Sequence, residues 1–198
     1  MILEDSPKTH TRASELIKAG GVIAFRTDTF YGLGADPFNL HAVNRIKQLK
    51  SREGAKPILI VISDRDQVER FISARSESFD TLAERFWPGP LTLIGKARTE
   101  LPDEITAGTK TIGVRLPDDD KVRALVRACG GALTATSANP SDDAPAKTAE
   151  EVERYFGPAI EMIVDGGPAQ TDRPSTIVNA SGPEPQLVRE GAIAWPEI

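Results

Sequence analysis

Five apolar residues in a row, Ile58-Leu59-Ile60-Val61-Ile62, constrain this chain more than any other stretch. A strand with one wet face alternates apolar and polar side chains. An unbroken, largely β-branched run implies a strand buried on both faces. The run is also far short of the ~20 residues that a membrane helix requires. Around it, helical and strand-like stretches alternate. Thr11–Ala19 reads as a helix with Leu16 and Ile17 on its buried side, stopped by Gly20-Gly21. Val22–Phe25 is a short buried strand. Asn39 caps a helix reaching about Lys50, with Val43, Ile46 and Leu49 spaced along one face. Asp64 and Gln67 have capping-box spacing for a further helix, as do Thr148 and Glu151. Leu91–Ile94, Thr111–Leu116, Ala132–Ala135, Ile160–Val164 and Thr176–Val178 read as strands, and Asp118–Cys129 as a helix that begins on an acidic turn. Such alternation predicts an α/β domain with a mixed sheet. No Pro- or Ser-rich linker divides the chain, so residues 1–198 are expected to form one domain.

Composition removes several function classes. With 39% apolar and 27% charged residues, the 198-residue chain has the make-up of a soluble globular protein. The N-terminus carries Glu4 and Asp5 and no apolar block, so no signal peptide is expected and the predicted location is cytoplasmic. A lone Cys129 rules out an internal disulfide. With only His10 and His41 beside it, zinc has too few soft ligands, and a metal would be Mg²⁺ brought by phosphates. The net charge of −5 conceals an asymmetry: residues 1–100 carry 15 basic and 13 acidic side chains, residues 101–198 carry 9 and 16. Between His41 and Lys56 stand Arg45, Lys47, Lys50, Arg52 and Lys56 against Glu53 alone. An anionic ligand would feel that cluster, though a solvated helix face has the same look.

Four loops collect polar groups at strand ends, where α/β sheets bind ligands. Thr27–Pro37 is rich in glycine, but it is neither a dinucleotide fingerprint nor a P-loop, and taken alone it is better accounted for by plain turn chemistry. Leu49–Pro57 holds Lys50, Arg52 and Lys56, more cations than helix-end capping needs. Thr134–Ser141 concentrates hydroxyls and the Asn139 amide, which suit phosphate or ribose oxygens or an Asx/Ser turn. Arg173–Val178 and Arg189-Glu190-Gly191 place two arginines in an otherwise acidic tail. A Ser-His-Asp hydrolase is a poor reading, because His10 precedes the first helix and His41 lies inside the second. Trp87 and Trp195 read as packing residues.

In order along the chain come Thr27-Asp28-Thr29-Phe30-Tyr31-Gly32-Leu33-Gly34, Lys50-Ser51-Arg52, Trp87-Pro88-Gly89-Pro90-Leu91-Thr92, Val114-Arg115-Leu116-Pro117, Ser137-Ala138-Asn139, Ser175-Thr176-Ile177-Val178 and Arg189-Glu190-Gly191-Ala192-Ile193. This series resembles the YrdC family of threonylcarbamoyl-AMP synthases from about Thr11 to Ile193, in its short, single-domain form. The resemblance implies a twisted mixed sheet with flanking helices around a concave, positively charged cavity. It implies conversion of L-threonine, bicarbonate or CO₂, and ATP into threonylcarbamoyl-AMP and pyrophosphate, without an organic cofactor. Mg²⁺ would arrive with ATP, and protein side chains would supply no metal ligand. The product would pass to a threonylcarbamoyl transferase complex that modifies tRNA next to the anticodon, with contact to tRNA or double-stranded RNA as a further implied interaction.

Carried over by motif position, Lys50 and Arg52 would be catalytic and hold phosphates. With Lys56, Thr111, Ser137, Asn139 and Arg189 they would form the ATP site, while Thr29, Arg115 and Ser175 would hold threonine. No side-chain nucleophile is needed, so catalysis would rest on positioning and electrostatics. Four departures stand out. Arg26 replaces a proline and would add charge near the cavity, Val61 replaces a histidine near threonine, Asp142 replaces a glycine, and Pro174 stands where an acidic residue is common. These departures and the basic cluster keep a second reading open, a YrdC-like nucleotide- or RNA-binding protein without synthase activity. The acidic pI of about 5.2 counts against a broad nucleic-acid-binding face.

Overall fold

The computed structural model describes residues 1–50, 56–141 and 143–195. In chain order the elements are β1 (Ile2–Glu4), α1 (Pro7–Lys18), β2 (Ile23–Arg26), β3 (Tyr31–Gly34), α2 (Leu40–Leu49), β4 (Ile60–Ile62), β5 (Ile72–Ala74), α3 (Glu77–Phe86), β6 (Leu91–Ala97), α4 (Asp103–Thr106), β7 (Thr111–Arg115), α5 (Asp120–Ala128), β8 (Ala132–Thr134), β9 (Thr136–Ser137), α6 (Ala149–Phe156), β10 (Met162–Asp165), β11 (Thr176–Asn179) and β12 (Gln186–Arg189). They build two mixed sheets rather than the one expected. The first has the order β1-β10-β2-β3-β9, and the second β12-β11-β6-β7-β4-β8 with β5 paired on β6. No helix among the described residues is long and apolar enough to cross a membrane.

The unbroken run is a strand only over its last three residues, Ile60–Ile62, and Leu59 before them is half-buried and lines a cavity. Those three behave as their composition demands. β4 lies between β7, its parallel neighbour, and β8, its antiparallel one. Ile60 and Ile62 enter the larger apolar cluster, beside Leu33 and Val114. Val61 enters the second, with Ile23, Phe25, Val122, Leu125 and Leu133. Successive side chains thus point into two cores, and no position on the strand is left for a polar residue. The helix starts follow their caps: Ser6, Asn39, Ser76, Asp119 and Thr148 each accept a backbone N–H of the first turn through a side-chain oxygen.

Two local expectations are overturned. Tyr31–Gly34 is not loop but β3, buried along its length and antiparallel to β2. Its glycines serve close packing: a Cβ on Gly34 would lie 2.7 Å from the Phe25 ring. Asp64 forms no capping box, and Arg65–Arg70 is a 3₁₀ turn. Its carboxylate instead accepts from the Ser63 hydroxyl and from Arg127, whose hydrogen bond holds the Asp64 pKa below its ordinary value.

The sheets meet where β8 passes into β9. Thr134 closes one sheet and Thr136 opens the other, with Ala135 between them. The crossover is fixed from both sides: Ala135 N–H donates to the Leu59 carbonyl (2.8 Å) and Thr134 N–H to the Ala35 carbonyl (3.0 Å). The Ala35 N–H returns a bond to Thr134 Oγ1 at 2.9 Å.

Candidate active site

A cavity of about 430 Å³ opens beside this crossover. Its walls are the β2–β3 turn (Thr27, Thr29), Leu59 before β4, Arg115 at the end of β7, residues 135–137, the approach to β11 (Asp172, Pro174, Ser175), and Arg189 at the end of β12. Arg115, Ser137 and Arg189 are thus last residues of their strands, the edge of an α/β sheet where ligands bind.

Four residues assigned from sequence converge on one wall. Arg115, 5% exposed, donates from Nη1 to Thr29 Oγ1 at 3.2 Å. The Thr29 hydroxyl lies 3.1 Å from that of Thr27, which donates to the Phe30 carbonyl at 2.7 Å. Ser175 Oγ shares a hydrogen bond with Thr92 Oγ1 at 3.0 Å. Arg189 donates from Nη2 to the Ser175 carbonyl (2.9 Å) and hydroxyl (3.3 Å). Although Arg189 is exposed as a whole, its guanidinium turns inward to Ser175, and partial desolvation there, then the neighbouring charge of Arg115, lower its pKa. Two guanidiniums close enough to repel each other face a cavity whose described lining holds one carboxylate, Asp172. An anion between them relieves the repulsion.

Ser137 and Asn139 belong to a second cluster. Lys50, at the end of α2 and 3% exposed, points its ammonium at the carbonyls of Ser137 (2.5 Å) and Asn139 (2.7 Å). Ser141 Oγ donates back to the Lys50 carbonyl at 2.7 Å. The Asn139 amide donates to the carbonyls of Pro140 and Asp143, both at 2.7 Å. Lys50 therefore anchors the loop that lines the cavity and is not itself part of the lining.

The remaining assignments fall elsewhere. Arg52 lies outside the described residues, as does Asp142. Lys56 is exposed and off the cavity wall. Thr111 begins β7 while Arg115 ends it, a separation of ~13 Å along a strand, and the cavity does not reach it. The basic cluster disperses as well: Arg45 turns away to Glu161 and the Ala159 carbonyl, each at 2.5 Å. Arg26 adds no charge to the cavity wall, because its guanidinium is buried against Asp119 at 2.6 Å. Val61 packs in the second apolar cluster, not against the cavity. Trp87 and Trp195 pack on the core as expected, and Trp87 Nε1 donates to the Leu91 carbonyl at 2.6 Å. Asp28 and Asp172 had no assigned role. Asp28 lies inside the Thr27–Gly34 motif, but its partner Arg115 is distant in sequence. No group of three or more His, Cys, Asp or Glu able to hold a metal occurs among the described residues.

Two mixed sheets meeting at a cavity with paired arginines define the class, and the chain belongs to the Sua5/YciO/YrdC family, whose profile, described as "Telomere recombination", matches residues 15–191. Within that family the chain is 39% identical to a threonylcarbamoyl-AMP synthase of Thiobacillus denitrificans over 82% of its own length and 86% of the relative's. It is 37% identical to the threonylcarbamoyl-AMP synthase of Bacillus subtilis, covering 94% of this chain and 54% of that one. It superposes on Pyrococcus abyssi Sua5 complexed with L-threonine with a TM-score of 0.95 and 33% identity, spanning all of this chain and 59% of the other. The chain thus spans little more than half of two of these relatives.

Proposed function

We propose that this chain is an L-threonylcarbamoyladenylate synthase, a nucleotidyltransferase that joins L-threonine, CO₂ or bicarbonate, and ATP, releasing pyrophosphate. The supporting observation is the convergence of Thr29, Arg115, Ser175 and Arg189 on one wall, beside the loop that carries Ser137 and Asn139. Kinship with a protein crystallised with L-threonine agrees with it.

In this reading the Arg115 guanidinium holds the threonine carboxylate, and the Thr29 and Ser175 hydroxyls orient the amino acid. The threonine amine loses a proton and adds to CO₂, forming a carbamate. A carbamate oxygen then attacks the α-phosphorus of ATP, and the bond to the β-phosphate oxygen breaks. Both partners are anionic, so the reaction needs fixed positive charge where they meet. Arg189, beside Arg115, supplies it, with Arg52 assigned to the same task by motif. Lys50 acts by holding the Ser137–Asn139 loop against the nucleotide. Lys56 and Thr111 keep only their motif assignment to ATP. ATP brings its own Mg²⁺. The product suits a downstream transferase acting on tRNA, and residues 1–198 serve as one catalytic domain.

The test is pyrophosphate release with ATP, bicarbonate and each of several amino acids. Release that depends on L-threonine supports the reading. Release without amino-acid preference, or none at all, overturns it.

A further inference from the structure

We infer that Asp28 is a positioning residue for Arg115, one that makes recognition of the substrate carboxylate depend on a charge behind the cavity wall. The inference rests on the reading of Arg115 as the carboxylate-binding group. The Asp28 side chain is 7% exposed, and its Oδ1 lies 3.2 Å from Arg115 Nη2. Its Oδ2 accepts the Asp118 N–H at 3.4 Å. Arg115 faces the cavity, whereas Asp28 is not part of its lining.

Three features give the arrangement meaning. First, Asp28 Oδ1 is buried without a hydrogen bond of acceptable geometry, so its charge is offset chiefly by the guanidinium beside it. Second, Arg115 is held at both terminal nitrogens by neighbouring residues of one turn, Nη1 by a hydrogen bond to Thr29 and Nη2 by the ion pair with Asp28. The plane of the guanidinium is set before any ligand arrives, and such pre-orientation lowers the cost of binding. Third, Arg189, which lines the same wall, pushes electrostatically on Arg115. Asp28 is the carboxylate that counters this push on Arg115 among the described ion pairs.

Asp28→Asn separates positioning from structure. The amide keeps an oxygen for the Asp118 N–H but loses the charge facing Arg115. Calorimetry on the full chain compares L-threonine, L-threoninamide and ATP. L-Threonine affinity is expected to fall ~10–100-fold in D28N, the scale of one charge-assisted contact. L-Threoninamide, which lacks the carboxylate, should change less than ~3-fold, as should ATP. Asp28→Glu keeps the charge and should restore part of the loss. If D28N does not fold, D28E carries the same comparison, with a several-fold loss confined to L-threonine. An equal loss for threonine and its amide, or no loss, overturns the inference while leaving the functional reading intact. A native chain that binds no L-threonine overturns both.

Discussion

Lys50 donates from Nζ to the backbone carbonyl of Asn139 at 2.7 Å, and the same ammonium reaches the Ser137 carbonyl. A cation expected from sequence to grip phosphate is thus built into the loop beside the phosphate's expected place. Lys50→Ala removes the donor from buried carbonyls and should cost about 3 kcal/mol in urea unfolding, by the usual penalty for unpaired buried acceptors. Activity should fall with stability. Unchanged stability with lost activity would return Lys50 to a purely ligand-binding role.

The Arg26–Asp119 pair joins the end of β2 to the first turn of α5, where Asp119 Oδ1 also caps the Lys121 and Val122 N–H groups. Arg26→Met strands a buried carboxylate and should destabilise by about 3 kcal/mol. Asp119→Ser retains the cap. In the double variant the loss should be smaller than the summed single losses by about 1–2 kcal/mol, the signature of direct coupling. Strict additivity in thermal unfolding would show that the two charges do not stabilise each other.

Gly34→Ala should cost about 1–3 kcal/mol, because the added methyl meets the edge of the Phe25 ring at 2.7 Å. Gly34→Ala combined with Phe25→Leu, which opens that space, should recover part of the loss. A neutral G34A variant would mean that β3 moves freely away from β2.

Glu161 supplies a pH-dependent part of the stability. Burial opposes ionisation, yet the Arg45 guanidinium and the Val22 N–H together hold its pKa below the ordinary 4.5. Because the folded value is the lower one, this stabilisation is present above 4.5 and fades as the pH drops through the folded pKa. Glu161→Gln should therefore lower Tm by a few degrees at pH 7, about 1 kcal/mol. The gap should close progressively below pH ~4. A gap independent of pH would remove the charge from the explanation.

Legibility from sequence followed the range of the forces involved. β4 could be read because burial on both faces leaves an unbroken apolar run, and the caps at Asn39 and Thr148 could be read because their bonds close within three residues. The segment from Gly32 to Gly34 hid a strand, since glycines carry no side-chain period and their fitness depends on Phe25 across the hairpin. β1, β5 and β12 are short and largely exposed, and β9 has two residues, so none carries the buried apolar run that marks a strand of similar length such as β4. In the site, motif order pointed to Thr29, Arg115, Ser175 and Arg189. The pairing of Arg26 with Asp119, 93 residues away, had no local trace. Nor did the inward turn of Lys50, which depends on a loop 87 and 89 residues further on.

The last strand carries a consequence for how the site comes together. β12 is the edge of its sheet, and all four of its residues are exposed, Val188 at 57%. Regions with so little burial open at the lowest free energy. One of the two cavity arginines is therefore delivered by a strand that peels easily, and an anion held between Arg189 and Arg115 would clamp that strand shut. Amide exchange along 186–189 should be fast in the free protein and slow when an anionic substrate binds, so that occupancy of the cavity is written into the protection of the sheet edge.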